Sequence, residues 1–115
     1  IGIIGSRRRN TQEDYELTLN KFLSLYRDGD IIVSGGCPKG GDRFAEYIAK
    51  MLNIPIKIHK ANWDLYDRGA GIQRNTYIAK DADILIACVA EDRKGGTEDT
   101  IKKYLKLNKN NLHLI

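Results

Sequence analysis

Short apolar runs alternate with stretches in which apolar side chains return every three or four residues. Ile1-Gly2-Ile3-Ile4 is an apolar run closed by Gly5-Ser6-Arg7. From Thr11 to Tyr26, the residues Tyr15, Leu19, Phe22, Leu23 and Tyr26 follow a helical period. Thr11 is in place to cap that helix, and Asp28-Gly29-Asp30 to end it. Ile31-Ile32-Val33 is β-branched and bounded by turn residues, which predicts a buried strand. A second helical stretch gathers Phe44, Ile48, Met51 and Leu52, and Pro55 to His59 reads as a third strand. Ala61 to Gly71 is irregular and carries the one tryptophan, Trp63. Ile72 to Ala79 predicts a weaker helix with Ile72, Thr76 and Ala79 on one face. Ile84 to Val89 is the most apolar run and predicts a central strand buried on both sides. A last helix follows Lys94-Gly95-Gly96-Thr97 with Ile101, Tyr104 and Leu105 inward, and Asn111 to Ile115 is a fifth strand.

Strands alternating with helices predict a single α/β domain over residues 1–115, with five parallel strands in the order 3-2-1-4-5 and helices on both faces. Right-handed crossovers bring every strand-to-helix loop to one edge. In open sheets of this kind ligands bind at that edge, near the point where the strand order reverses.

Composition narrows the classes. The chain has 115 residues, 42% apolar and 30% charged, which fits one domain and excludes a disordered chain. No apolar run approaches the ~18 residues of a membrane span. No charged–apolar–small segment opens the chain, so no signal peptide is expected. Cys37 and Cys88 make no disulfide framework, and no Cys/His cluster has zinc spacing. The expectation is a cytoplasmic protein without metal or cofactor. His59 and His113 alone do not make a metal site.

The net charge is +4. Lys102, Lys103, Lys106 and Lys109 read as the solvated face of the last helix, which leaves Arg7-Arg8-Arg9 as the informative cluster. Of the three, Arg7 is assigned to a ligand. A nucleic-acid footprint would show a longer basic stripe with interleaved aromatics, and none is present.

The post-strand loops carry the candidate chemistry. They are Gly5-Ser6-Arg7, then Ser34-Gly35-Gly36-Cys37-Pro38-Lys39-Gly40-Gly41-Asp42-Arg43, then Trp63 through Arg74-Asn75, then Lys94-Gly95-Gly96-Thr97-Glu98-Asp99. Glycine lets backbone amides approach a phosphate, and a helix N-terminus adds partial positive charge. Arginine matches phosphate with a planar fork of donors. Two Gly-Gly turns and the arginines at one edge predict an anion cradle. The frame is neither G-x-G-x-x-G nor a Walker loop, so ordinary NAD redox chemistry and P-loop phosphoryl transfer both fall in rank. Asp42 also reads as a helix cap, Thr97 as a cap that can reach phosphate, and Glu98 and Asp99 as first-turn acids. Trp63 and Tyr66 are positioned to stack a base or to plug a loop. Cys37 reads as non-catalytic, since no His is near it in sequence.

In order along the chain, Gly5-Ser6-Arg7, Ser34-Gly35-Gly36-Cys37-Pro38 with Gly41-Asp42-Arg43, Trp63 with Tyr66, Ala70-Gly71 with Arg74-Asn75, Ala82-Asp83 and Gly96-Thr97 resemble the YspA-like branch of the SLOG superfamily. That superfamily includes the Lonely Guy (LOG) phosphoribohydrolases and the DNA-uptake protein DprA. The resemblance implies a Rossmann-like, three-layer α/β/α fold that binds a nucleotide or nucleotide-derived ligand, such as an ADP-ribose-like molecule, within a homo-oligomer, most simply a dimer. The residues it places at the ligand are Gly5, Ser6, Arg7, Ser34, Gly35, Gly36, Cys37, Gly40, Gly41, Asp42, Arg43, Trp63, Arg74, Asn75, Gly95, Gly96 and Thr97. In its enzyme branch it implies release of a base from a nucleoside monophosphate, with Arg74, Glu98 and Asp99 as catalytic candidates. LOG enzymes use P-G-G-x-G-T-x-x-E, whereas here Thr100 stands at the Glu position and no Pro precedes Gly95-Gly96. Binding, or sensing, therefore ranks ahead of hydrolysis, and DprA-like nucleic-acid binding comes third.

Overall fold

In a computed structural model that describes residues 1–61 and 70–115, five strands and four helices alternate. The strands are β1 (Gly2–Gly5), β2 (Ile32–Ser34), β3 (Ile56–Ile58), β4 (Leu85–Cys88) and β5 (Leu112–Leu114). The helices are α1 (Gln12–Leu25), α2 (Gly41–Leu52), α3 (Ala70–Asp81) and α4 (Gly96–Lys106). The sheet order is β3-β2-β1-β4-β5 and every pairing is parallel, as the alternation predicted.

The three layers follow from side-chain alternation along buried strands. Ile3, Ile32 and Ile86 face α1 and α2, where they meet Phe22, Ala45 and Ile48. Ile4, Val33, Leu85 and Ala87 face α3 and α4, where they meet Ile78, Ala79, Ile101 and Tyr104. Register carries this through the sheet: Ile3 sits beside Ile86, and Ile4 beside Ala87. The sequence order reverses between β1 and β4, so the loops leaving those two strands diverge to opposite faces and open a crevice.

Helix boundaries have local causes. Thr11 caps α1 in a reciprocal box, accepting from the Asp14 amide while Asp14 accepts from the Thr11 amide. Asn53 ends α2 in the left-handed conformation. Lys109 is not the solvated lysine expected. Its ammonium donates to the carbonyls of Ala79, Lys80 and Ala82 at 3.1, 2.7 and 2.8 Å, and so neutralises the C-terminus of α3.

Several expected core residues are exposed: Leu23, Ile31, Met51, Leu52, Ile72 and Leu105. The α3 case is instructive. Its buried positions include Asn75, Ile78 and Ala79, so a polar residue occupies the inward stripe and the apolar pattern pointed to Ile72 instead. The helix also begins at Ala70, inside the stretch expected to be irregular. Among the described residues, no helix is long and apolar enough to cross a membrane.

Candidate functional site

A cavity of about 400 Å³ opens between the carboxyl ends of β1 and β4. Gly5, Ser6, Arg7 and Arg8 form one wall, Cys37 and Asp42 another. Arg74, Asn75 and Ile78 come from α3, and Lys94 to Thr97 with Thr100 from the start of α4.

The β1 wall turns sharply. The Ser6 carbonyl accepts from the Arg9 amide at 3.1 Å, and its hydroxyl from the Arg8 amide at 3.2 Å. Three successive arginines then take three different directions. Arg9 is half-buried, bonded to Asp14, to the Val89 carbonyl and to the Ile115 carbonyl, a structural strut. Arg8 grips Asp92 with both terminal nitrogens, at 2.9 and 2.7 Å. Arg7 lines the cavity and makes no side-chain hydrogen bond among the described residues.

The α4 wall presents an uncapped helix start. Gly95 is the N-cap and offers no side chain to the first amides, so Thr97 is not the cap that its position suggested. Those amides carry the positive end of the helix dipole. Glu98 forms a fork-to-fork pair with Arg93, at 2.9 and 2.8 Å. Asp99 accepts from Lys103 at 2.7 Å and from Asn75 at 3.1 Å. Burial works to raise the Asp99 carboxyl, but Lys103 and Asn75 together hold it below the usual carboxylate range. Neither acid lines the cavity. Asn75, 6% exposed, also donates to the Gly96 carbonyl at 3.3 Å and accepts from Arg74 Nε at 3.1 Å. It ties α3 to the α4 entrance.

The third wall is built around a buried carboxyl. Asp42 does not cap α2; its oxygens turn back to the Ser34 hydroxyl and the Cys37 amide, each at 3.0 Å. Burial raises its carboxyl above the usual range, outweighing the opposing Cys37 amide, Ser34 hydroxyl and Arg74 charge. Arg74 Nη1 donates to the Gly35 carbonyl at 2.7 Å. Among the described residues, no carboxylate pairs with Arg7, Arg74 or Lys94.

Comparison with family models, curated proteins and solved structures returns no match. The geometry therefore carries the reading. Ten of the sequence-derived ligand positions meet at the cavity: Gly5, Ser6, Arg7, Cys37, Asp42, Arg74, Asn75, Gly95, Gly96 and Thr97. Ser34 and Gly35 stand behind them, as partners of Asp42 and Arg74.

The rest have other places. Gly40 has φ +75°, and a β-carbon there would lie 2.3 Å from the Ser6 carbonyl oxygen; one on Gly41 would lie 2.2 Å from the Ile4 carbonyl carbon. These two glycines let α2 start directly against β1, and the Gly40 amide is taken by Asn10 Oδ1 at 2.9 Å. Only the second Gly-Gly turn faces the cavity. Gly36 packs against Ile58 and Lys60. Arg43 lies over the Tyr47 ring, in a separate cleft of about 610 Å³ between α1 and α2. Trp63 and Tyr66 lie outside the described residues. Cys37 and Cys88 are free thiols.

The cavity also contains residues not assigned to it from sequence. Arg8 and Lys94 neighbour assigned positions in the same two loops. Ile78 and Thr100 lie one helical turn beyond Arg74 and Gly96, so the helical repeat was the available signal. Chemically the cavity offers helix-start amides with Arg7 and Lys94 on one side, and a buried carboxyl beside Arg74 on another. Among the described residues, no three His, Cys, Asp or Glu side chains gather to hold a metal ion.

Proposed function

We propose that the protein binds a phosphate-bearing nucleotide or nucleotide-derived ligand in this cavity, as a member of the YspA-like branch of the SLOG superfamily. The observation that carries the proposal is the meeting of an uncapped helix start with Arg7, Arg74 and Lys94, none paired to a carboxylate among the described residues. An anion in that place receives backbone amides, the helix dipole and charge-assisted hydrogen bonds together. The volume and the mixed polar and apolar walls suit a compact ligand rather than a polymer groove.

Hydrolysis of the N-glycosidic bond is the second reading, favoured by Arg74 in the cavity wall. It stands behind binding because Glu98 and Asp99 are engaged by Arg93 and Lys103. A homodimer in a reducing cytoplasm completes the proposal, and light scattering tests the assembly. The functional test is a melting-temperature screen with inorganic phosphate, AMP, ADP-ribose, NAD and cyclic AMP, followed by chromatography. Ligands that bind the native state raise the transition. Shifts with intact ligand support binding, base release supports hydrolysis, and no shift with any phosphate compound contradicts both.

A further inference from the structure

The cleft between α1 and α2 shares no lining residue with the first cavity. Its volume of about 610 Å³ falls within the range of small-molecule sites. Its floor is aromatic. The Tyr15 ring meets Phe44 and Tyr47 edge-on, with centroids 5.6 and 6.3 Å apart, and its hydroxyl lies 3.9 Å from the Met51 sulfur. Tyr47 and Met51 are 46% and 56% exposed, so a ring and a thioether face water there. A flat apolar body laid on them gains from the buried area and from contacts to ring and sulfur.

One side of the cleft carries charge of a single sign. Arg43, Tyr47 and Lys50 are spaced i, i+4 and i+7 on α2, hence on one stripe of the helix. Arg43 Nε and Nη2 both donate to the Tyr47 hydroxyl oxygen, at 3.0 and 2.7 Å. That oxygen is filled as an acceptor, while the hydroxyl hydrogen and Arg43 Nη1 find no acceptor among the described residues. No acid lines the cleft, and among the described residues no carboxylate pairs with Arg43 or Lys50. The α1 start at its edge is engaged in the Thr11–Asp14 box, so the donors on offer are side chains. A guanidinium, a phenol hydroxyl and an ammonium beside an aromatic floor match a planar anion on a flat apolar body.

We infer that this cleft binds a small aromatic carboxylate, its ring against Tyr15, Tyr47 and Met51 and its carboxylate toward Arg43, the Tyr47 hydroxyl and Lys50. The site is independent of the phosphate reading above. The acid should bind more tightly than its neutral amide by about fivefold or more, because only the charged form draws on both cations.

The test follows backbone amide resonances during titration with indole-3-propionate, indole-3-propionamide and octanoate. The proteins are the unmodified chain, Arg43→Gln and Lys50→Gln. The amides of Tyr15, Phe44, Tyr47 and Met51 should shift with indole-3-propionate and saturate along one curve. The propionamide and octanoate should each bind about fivefold or more weakly, and each variant should weaken the acid by about threefold or more with the propionamide unchanged. Equal affinity for acid and propionamide, or for acid and octanoate, overturns the inference. So does unchanged affinity for the acid in either variant, or the absence of saturable shifts in this cleft. Cleft resonances that move with protein concentration alone, with a dimer mass by light scattering, give the cleft to a second copy of the chain and overturn it as well. Should a variant fail to fold, the three ligands compared on the unmodified protein decide.

Discussion

Arg74 Nη1 lies 2.7 Å from the Gly35 carbonyl oxygen, and a β-carbon on Gly35 would stand 2.6 Å from that same nitrogen. The absence of a side chain at Gly35 is what admits the guanidinium. Gly35→Ala is expected to fold, because the nearest clash falls on the far end of a flexible side chain, although the buried Asp42 Oδ2 at 2.8 Å must also give. Its stability cost should be about 1–3 kcal/mol, with phosphate affinity weakened by about 1.5–3 kcal/mol. Gly41→Ala is the contrast. Its β-carbon meets the Ile4 backbone, so about 3 kcal/mol or more of stability should be lost. Urea denaturation and phosphate titration of both variants check the pair.

Arg7→Ala should separate binding from folding. Arg7 is exposed and bonded to nothing among the described residues, so its melting temperature should stay near that of the unmodified protein. Phosphate-bearing ligands should bind about 1.5–3 kcal/mol more weakly, the scale of a charge-assisted hydrogen bond. Unchanged affinity contradicts the role given to Arg7.

Arg8, which lines the cavity, forms an exposed fork with Asp92, and exposed pairs of this kind add little to stability. Asp92→Asn releases the Arg8 guanidinium next to Arg7. Phosphate affinity should rise severalfold with little change in melting temperature. A fall in affinity would show that Asp92 matters through the Lys94 amide it accepts at 3.1 Å instead of by competing for Arg8.

Much of this was legible in the chain itself. Buried parallel strands announce themselves as apolar runs such as Ile84 to Val89, and the loops between them placed Gly5, Arg7, Arg74 and Gly96 on one edge. The misreadings share a cause: a residue type admits two uses, and tertiary context chooses. Gly40-Gly41 looks like a phosphate turn, but is spent on contact between α2 and β1. Asp42 looks like a cap and turns back to Ser34 and Cys37. Asn75 breaks the apolar stripe of α3, where its amide group bridges Arg74 and the Gly96 carbonyl.

The pH dependence of stability isolates Asp42. Burial raises its carboxyl above the ordinary 3.8, against the Cys37 amide, Ser34 hydroxyl and Arg74 charge. The folded protein thus holds this proton more tightly than the unfolded chain does. The stability from that proton is fully present below 3.8 and is lost as pH rises through the folded value. Asp42→Asn does not titrate, so it should gain on the unmodified protein as pH rises from about 4 to about 7. Asp14, Asp81, Asp92 and Asp99 shift downward and are common to both proteins, so they cancel in the comparison. A constant difference in melting temperature across the range contradicts the buried-carboxyl assignment.

The proposed phosphate site is tested most directly by following backbone amide resonances while AMP is added. The amides of Gly95, Gly96 and Thr97 at the α4 start should shift together with those of Ser6 and Arg7, and saturate along one curve. Shifts confined to the Tyr15, Phe44 and Tyr47 cleft between α1 and α2, or no saturable shifts at all, would contradict a phosphate site at the carboxyl ends of β1 and β4.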